Sequence, residues 1–317
     1  MPDLPRVNVV IPCFNAERYI AATLRSVLAQ RGVELEAIVV DDGSTDGSVA
    51  VVEREFPQVK VVRRPNAGVA AARNAGIAAA GAEWIAFCDA DDIWLPGKLA
   101  AQFDALAASP GARMSYAAWQ AWPSLAAEPE PTLLEQLAAE PAGPTWAGAT
   151  GWLYPELLLD CVVWTSTVLL QRSLLDEVGG FDAGLRIGED YDLWLRLSRV
   201  TRIERVARPL ALYRQHPGSI TRGAPQENYR GRVVQKALDT WGLAGPDGRV
   251  ADGPRVRERL AGSWSEFAYA QLAAGERRAA RRSSCRALRI APSHLPGWKL
   301  WLRSWLPQPS SRTAVSS

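Results

Sequence analysis

Trp84-Ile85-Ala86-Phe87-Cys88-Asp89-Ala90-Asp91-Asp92 passes from a continuous apolar run straight into three carboxylates within four positions. Five apolar residues in succession are of strand length, and a strand hydrophobic on both faces is one covered on both faces. Upstream, Val7 to Ile11 repeats the pattern and ends at Pro12 and Asn15. Ala37 to Val40 repeats it again and ends in Asp41-Asp42-Gly43-Ser44-Thr45-Asp46-Gly47, and Val59 to Val62, interrupted by Lys60, reads as a third strand. Between these strands lie helical faces: Ile20, Leu24, Val27 and Leu28, then Val49, Val52 and Phe56, then the Ala-rich stretch from Gly68 to Ala80. Leu99, Phe103 and Leu106 mark one more helix, with Asp92 ahead of it as a possible cap. Strands alternating with helices predict an α/β fold, a Rossmann-like αβα sandwich around a mostly parallel central sheet. Ligands of such sheets bind beyond the carboxyl ends of the strands.

The acidic strand ends fall there. Three carboxylates so close repel one another unless a cation neutralises them, and hard oxygen ligands suit Mg²⁺ or Mn²⁺, which in turn holds a diphosphate. A solvated turn would also accommodate a lone Asp-x-Asp. Asp42, at the end of another strand, is positioned to accept from a base N–H. Arg73, inside Asn66-Ala67-Gly68-Val69-Ala70-Ala71-Ala72-Arg73-Asn74-Ala75-Gly76, offers a fixed cation to a phosphate or base carbonyl, or is an exposed helix arginine.

Four ordered segments, Val9 to Asn15, Val39 to Asp46, Asn66 to Gly76 and Asp89 to Asp92, resemble the successive motifs of family 2 glycosyltransferases, over roughly residues 7 to 220. The resemblance implies the GT-A fold. It places Pro12, Phe14, Asn15 and Asp42 at the donor nucleoside with Arg73 nearby, Asp89 at the ribose and metal, and Asp91 as direct metal ligand. Gly188-Glu189-Asp190-Tyr191-Asp192 is similar to the family's Glu-Asp motif, which makes Asp190 the base that deprotonates the acceptor hydroxyl, with Glu189 the next candidate. At a helix N-terminus the dipole would keep that carboxylate ionised. His216, in Tyr213-Arg214-Gln215-His216-Pro217-Gly218-Ser219-Ile220-Thr221, looks like part of the family's late loop over the donor diphosphate, as a metal or phosphate ligand; a surface histidine is the alternative. The implied reaction is inverting and uses Mn²⁺ or Mg²⁺. It takes a nucleotide-sugar donor, UDP being the commonest nucleotide among relatives, and a glycan or lipid-linked glycan acceptor.

The expected organisation is a catalytic domain over residues 1–225, with a nucleotide-sugar half to about 112 and an acceptor half from 113. A helical region follows over 226–317. Trp119 to Trp152, rich in Pro, Ala and Gly, reads as a long loop with a short helix around Leu133 to Leu137. Trp164-Thr165-Ser166 reads as acceptor lining or core. Val256, Leu260, Trp264, Ala268 and Leu272, then Gly275, then a run to Ile290, look like one tetratricopeptide-type hairpin. Trp298, Trp301, Leu302 and Trp305 share a face of a last helix.

Net charge is only +2, which argues against nucleic acid as partner. It is unevenly spread: from Gly275 onward nine Arg or Lys face one Glu. That basic, indole-bearing tail suggests peripheral membrane contact, or a helix docked on the protein. The four scattered cysteines fit a reduced, cytoplasmic compartment, and the tail suggests association with the inner face of the membrane. No apolar run is long enough to span a bilayer. Two other functions stay open. A sugar nucleotidyltransferase would bring a Gly-rich phosphate loop with a Lys near the N-terminus, where Pro12 to Asn15 stands instead. A non-catalytic nucleotide-sugar-binding or scaffold protein would recruit a partner through the helical tail; the retained carboxylate sets count against it.

Overall fold

The computed structural model describes residues 4–123, 126, 128–130, 132–133, 136, 148–217 and 226–306. The chain divides into two compact units, residues 1–219 with 240–251, and residues 220–239 with 252–317.

In the first unit β1 (Arg6–Cys13), β2 (Glu34–Asp41), β3 (Lys60–Arg63) and β4 (Trp84–Phe87) alternate with α1 (Ile20–Leu28), α2 (Ser48–Glu55) and α3 (Val69–Ala79). These four strands are parallel, in the order β3-β2-β1-β4, with β1, β2 and β4 covered on both faces and β3 at the edge of the sheet, exposed or half-buried. Val9, Val10 and Ile11 of β1, Ile38 and Val40 of β2 and Ile85 to Phe87 of β4 are fully buried. At about 1.5–3 kcal/mol for each large apolar side chain, this layer dominates the unit's stability. Two glycines in the α3 segment answer to geometry. Gly68 has φ 90°, open to glycine at no steric penalty. A Cβ on Gly76 would lie 2.3 Å from the Val10 Cγ1, so this helix rests on β1 only because the side chain is missing.

Past β4 the pattern changes. β5 (Ile93–Trp94), α4 (Lys98–Ala107), β6 (Ala112–Trp122), α5 (Tyr154–Leu157), a 3₁₀ turn at Thr165–Thr167, β7 (Leu169–Gln171), α6 (Arg172–Val178), α7 (Glu189–Leu197) and β8 (Arg202–Arg214) complete the unit. The sheet continues β4-β7-β6-β8-β5. β7 is antiparallel to both β4 and β6, β6 and β8 are parallel, and β5 is antiparallel to β8. The parallel expectation therefore holds through β4, and the second half is mixed. Two readings are corrected. Asp92 leads not into a helix but into the short β5, and α4 begins at Lys98 after the left-handed Gly97. Trp119 to Trp122 belong to β6 rather than to a loop, because β8 offers them a parallel partner up to Arg214. Most of the short helix expected around Leu133 to Leu137 lies outside the described residues.

The second unit contains α9 (Gly253–Ala273), α10 (Arg277–Ile290) and α11 (Leu295–Arg303); α8 (Tyr229–Trp241) precedes them. Asp252 caps α9 by accepting from the Arg255 amide at 3.1 Å. Gly275, at φ 82°, ends it, and the Glu276 amide reaches back to the Gln271 carbonyl at 2.8 Å, the Schellman closure that turns the chain into α10. Buried Ala261, Ala268, Ala280 and Ala287 let the helices approach closely. His294 is buried, with Nδ1 2.6 Å from Glu258 Oε1 and Nε2 3.0 Å from Ser265 Oγ, a tie from the start of α11 to α9. Among the described residues no helix is long and apolar enough to cross a membrane.

Candidate active site at the carboxyl edge of the sheet

Strand register brings the motif residues together. Cys13 at the end of β1 pairs with Asp41 at the end of β2, while Val10 pairs with Phe87 near the end of β4. The turns after these three neighbouring strands therefore open side by side. The first two are laced to each other. The Asn15 amide donates to Ser44 Oγ at 3.0 Å, the Thr45 amide to Asn15 Oδ1 at 2.8 Å, and the Ala16 amide to Ser48 Oγ at 2.8 Å. Asn15 has φ 52°, the one non-glycine residue with positive φ among those described, and Phe14 beside it is left exposed. Pro12 closes β1 against Val40.

Asp42 is buried, and its carboxylate accepts from the Ala67 amide at 3.2 Å and the Gly68 amide at 2.8 Å, with Arg64 Nε 3.1 Å away. The residue expected at the nucleoside thus also shapes the segment leading to α3. Arg73, on α3, is the centre of a larger network. Its Nη2 donates to Asp89 Oδ1 and its Nη1 to Glu189 Oε1, both at 2.6 Å, and the guanidinium lies over the Phe181 ring at 5.3 Å. It is buried, not exposed. One cation here faces Asp89, Glu189 and Asp190. That is why Arg73 is held still more firmly protonated despite burial, while burial and then Asp190 push Glu189 upward against the pull of Arg73.

Asp91 faces His216, Oδ2 to Nε2 at 2.9 Å, and the imidazole rests against Tyr19 at 4.8 Å between ring centroids. Burial, with Asp89 next, raises the Asp91 carboxyl, and His216 opposes the rise. Asp190, in the first turn of α7, accepts from Thr165 Oγ1 at 3.0 Å. Six of the sequence-predicted residues thus fall into two connected groups, Asp89–Arg73–Glu189 with Asp190 beside it, and Asp91–His216, while Pro12, Phe14, Asn15 and Asp42 lie at the ends of β1 and β2.

What sequence reasoning did not find is the frame behind them. Ser166 Oγ accepts from the Asp89 amide at 3.0 Å and donates to Asp92 Oδ2 at 2.5 Å. Asp92, wholly enclosed and raised well above the usual carboxylate range by burial and by Asp91, also accepts from the Arg214 amide at 3.1 Å. The fully buried Arg214 side chain donates from Nε to the Asp91 carbonyl at 2.7 Å and lies between the rings of Tyr19 at 4.5 Å and Trp122 at 4.3 Å. Asp92 is therefore the internal post of the cluster. Nothing local marks Arg214, which is 123 positions from Asp91. Trp119, Trp164 and Tyr213 form a half-buried aromatic group with centroids 5.0–5.7 Å apart, its Trp164 next to the Thr165 that holds Asp190.

The cluster's excess of negative charge suits a divalent cation. Among the described residues no three His, Cys, Asp or Glu side chains form a ready-made cage. Asp91 and His216 offer one oxygen and one nitrogen ligand, the kind of partial set that substrate phosphates complete.

Two αβ halves on one mixed sheet, with an Asp-x-Asp turn at the carboxyl edge of the first and a Glu-Asp helix in the second, define the GT-A architecture. Residues 8–117 match the profile of Glycosyl transferase family 2. The chain is 29% identical over 202 residues to the Escherichia coli UDP-Glc:alpha-D-GlcNAc-diphosphoundecaprenol beta-1,3-glucosyltransferase WfgD, covering 63% of this chain and 72% of that one. It spans 28–31% of the length of other curated relatives that it matches. Its fold superposes on Staphylococcus aureus TarS 1–349 in complex with UDP-GlcNAc with a TM-score of 0.64 at 15% identity, covering 94% and 90% of the two chains. It also superposes on the Pyrobaculum calidifontis mannosyltransferase PcManGT in complex with GDP-Man and Mn²⁺ with a TM-score of 0.51 at 19% identity, covering 96% and 81%. The chain is thus similar to family 2 glycosyltransferases over residues 8–117 and shares the GT-A fold.

Proposed function

We propose that the protein transfers a sugar from a UDP-sugar to a hydroxyl of a lipid-linked or cell-surface glycan, with inversion at the anomeric carbon and with Mn²⁺ or Mg²⁺ as cofactor. The observation that carries this reading is the pairing on one sheet edge of Asp91–His216 with a second carboxylate, Asp190, held by Thr165. The names of WfgD and of the TarS complex, both with UDP-sugars, support the donor class. Work at the inner face of the membrane follows from a lipid-linked acceptor.

In this mechanism exposed Phe14 stacks on the base beside Pro12 and Asn15, and Asp42 fixes the loop that faces it. Asp91, with Asp89 and His216, would hold the cation, which supplies positive charge against the diphosphate as it leaves. Asp190 takes the proton of the acceptor hydroxyl, whose oxygen bonds to the anomeric carbon as the bond to the diphosphate oxygen breaks. Arg73 keeps Glu189 and Asp89 in place, so Asp190 acts in a fixed frame with Glu189 beside it. Attack from the face opposite the leaving group gives inversion without a glycosyl-enzyme intermediate.

The test is a screen of UDP-, dTDP- and GDP-sugars by thermal shift and by nucleoside diphosphate release, with and without Mn²⁺ or Mg²⁺, on the wild type and Asp91→Asn. UDP-sugar binding, metal-dependent turnover and loss of both in Asp91→Asn are expected. Absence of nucleotide-sugar binding at any metal concentration refutes the enzyme reading. An anomeric configuration retained in the product, read by NMR, refutes inversion.

A further inference from the structure

α11 is amphipathic in an unusual sense: one face packs inside its own unit and the other presents apolar side chains to solvent. Gly297, Leu300 and Ser304 are covered, whereas Leu295, Leu302 and Leu306 are 68%, 57% and 61% exposed, with Trp298 and Trp305 exposed beside them. At 100° per residue these five positions span one arc about a third of the way round the helix. Lys299 and Arg303, both exposed, flank that arc on one side. The indoles are fixed rather than free. Trp298 and Trp301, and Trp301 and Trp305, meet edge-to-face at 6.0 Å, Trp298 Nε1 donates to the Pro292 carbonyl at 2.9 Å, and the Arg281 guanidinium stacks 3.3 Å over Trp305. That last contact joins the stripe to α10, where Arg278, Arg282, Arg286 and Arg289 are exposed along one face. From Arg277 to Leu306 there are eight Arg or Lys and no Asp or Glu.

An apolar stripe of this kind in water is unfavourable, and cations without counter-charges repel one another. Both problems have one solution. We propose that the α11 stripe, with the α10 arginines, docks on a bilayer surface bearing anionic headgroups. Leu295, Leu302 and Leu306 enter the acyl boundary, the indoles sit at headgroup level, and Lys299, Arg303 and the α10 arginines meet lipid phosphates. An apolar protein groove would take the leucines but would leave Lys299, Arg303 and the exposed α10 arginines without counter-charges; charge complementarity therefore selects the anionic lipid surface. The inference rests on the transfer reading only for its purpose, which is to keep the enzyme where a lipid-linked acceptor is found. Its test needs neither donor nor acceptor, so the two readings fail separately.

The experiment is co-sedimentation of the full chain with vesicles of phosphatidylcholine alone and of phosphatidylcholine with about one-third phosphatidylglycerol, over a salt series. Variants are Leu302→Ser with Leu306→Ser, and Lys299→Glu with Arg303→Glu; all four sites are exposed, and circular dichroism checks the helices. Expected are partition to the anionic vesicles only, weakening with salt, a drop of tenfold or more for the leucine pair, and a drop of about twentyfold or more for the charge pair, at roughly fivefold per charge. Sedimentation equally with both lipids, no sedimentation at low salt, or anionic binding unaltered by either pair overturns the proposal. So does a concentration-dependent rise in mass without lipid that the leucine pair abolishes, since the stripe is then an interface between copies.

Discussion

Lys98 has no relative exposure, yet its only hydrogen-bond acceptor among the described contacts is Gln102 Oε1 at 2.7 Å, and its Nζ lies over the Trp94 ring at 3.9 Å. It stands beneath the site: Trp94 donates to the Ser166 carbonyl at 2.7 Å, and Gln102 donates to the Thr167 carbonyl at 2.8 Å. Burial lowers this ammonium from 10.5 to about 7. At about 1.4 kcal/mol per tenfold in proton affinity, the fully protonated folded state is disfavoured by about 5 kcal/mol, an upper figure that the Trp94 face offsets in part. The sign follows from proton counts. Between pH 7 and 10.5 the unfolded chain holds this proton and the folded chain does not, so stability rises with pH across that window. Below about 7 the penalty is complete and constant; above 10.5 it vanishes. Lys98→Met removes the titration, and any pH-independent change in packing drops out of the comparison of slopes. From roughly pH 7.5 to 9.5 the wild type should gain about 2.5 kcal/mol relative to Lys98→Met. Urea unfolding followed by tryptophan fluorescence at each pH measures it. Parallel stability curves for the two proteins would show that Lys98 keeps an ordinary affinity for its proton, and the reasoning from burial would be wrong.

Arg73→Met strands two carboxylates and should lower stability by about 3–5 kcal/mol, with part restored by adding Glu189→Gln; thermal unfolding of the single and double variants reads both. Asp190→Asn should reduce kcat by about 10²–10⁴-fold while donor affinity, measured by calorimetry, stays within about threefold. His216→Ala should raise the Mn²⁺ concentration for half-maximal turnover without abolishing donor binding at saturating metal, and an unchanged metal titration would remove His216 from the site. Ser166→Ala deprives the Asp89 amide and the Asp92 carboxylate of a partner each, so a loss of about 2–4 kcal/mol is expected in chemical denaturation.

Legibility in the sequence followed the range of the interaction. The first four strands and three helices were readable because each is a local periodic pattern, and because a strand apolar on both faces has few alternatives to a parallel sheet. The second half was read less well. β7 has only three residues, and β5 only two. Neither carries a period, and each is a strand only because β4, β6 or β8 offers a free edge. Local sequence leaves Asp92 open as a helix cap, because Asp caps helices well; the carboxylate instead turns inward to Ser166 and Arg214.

The sequence by itself determined the acidic strand ends, their order along the chain, and the family resemblance. Those are properties of residue type and spacing. Which carboxylate does what was decided by tertiary structure alone. Asp89 is tied to Arg73, Asp91 faces His216, Asp92 is an internal post, and Asp190 is held by Thr165. Four acids of one chemical kind differ only in what surrounds them. The surrounding groups come from α3, from the 3₁₀ turn at Thr165–Thr167 and from the end of β8 and the residues after it, at distances along the chain that no local pattern records.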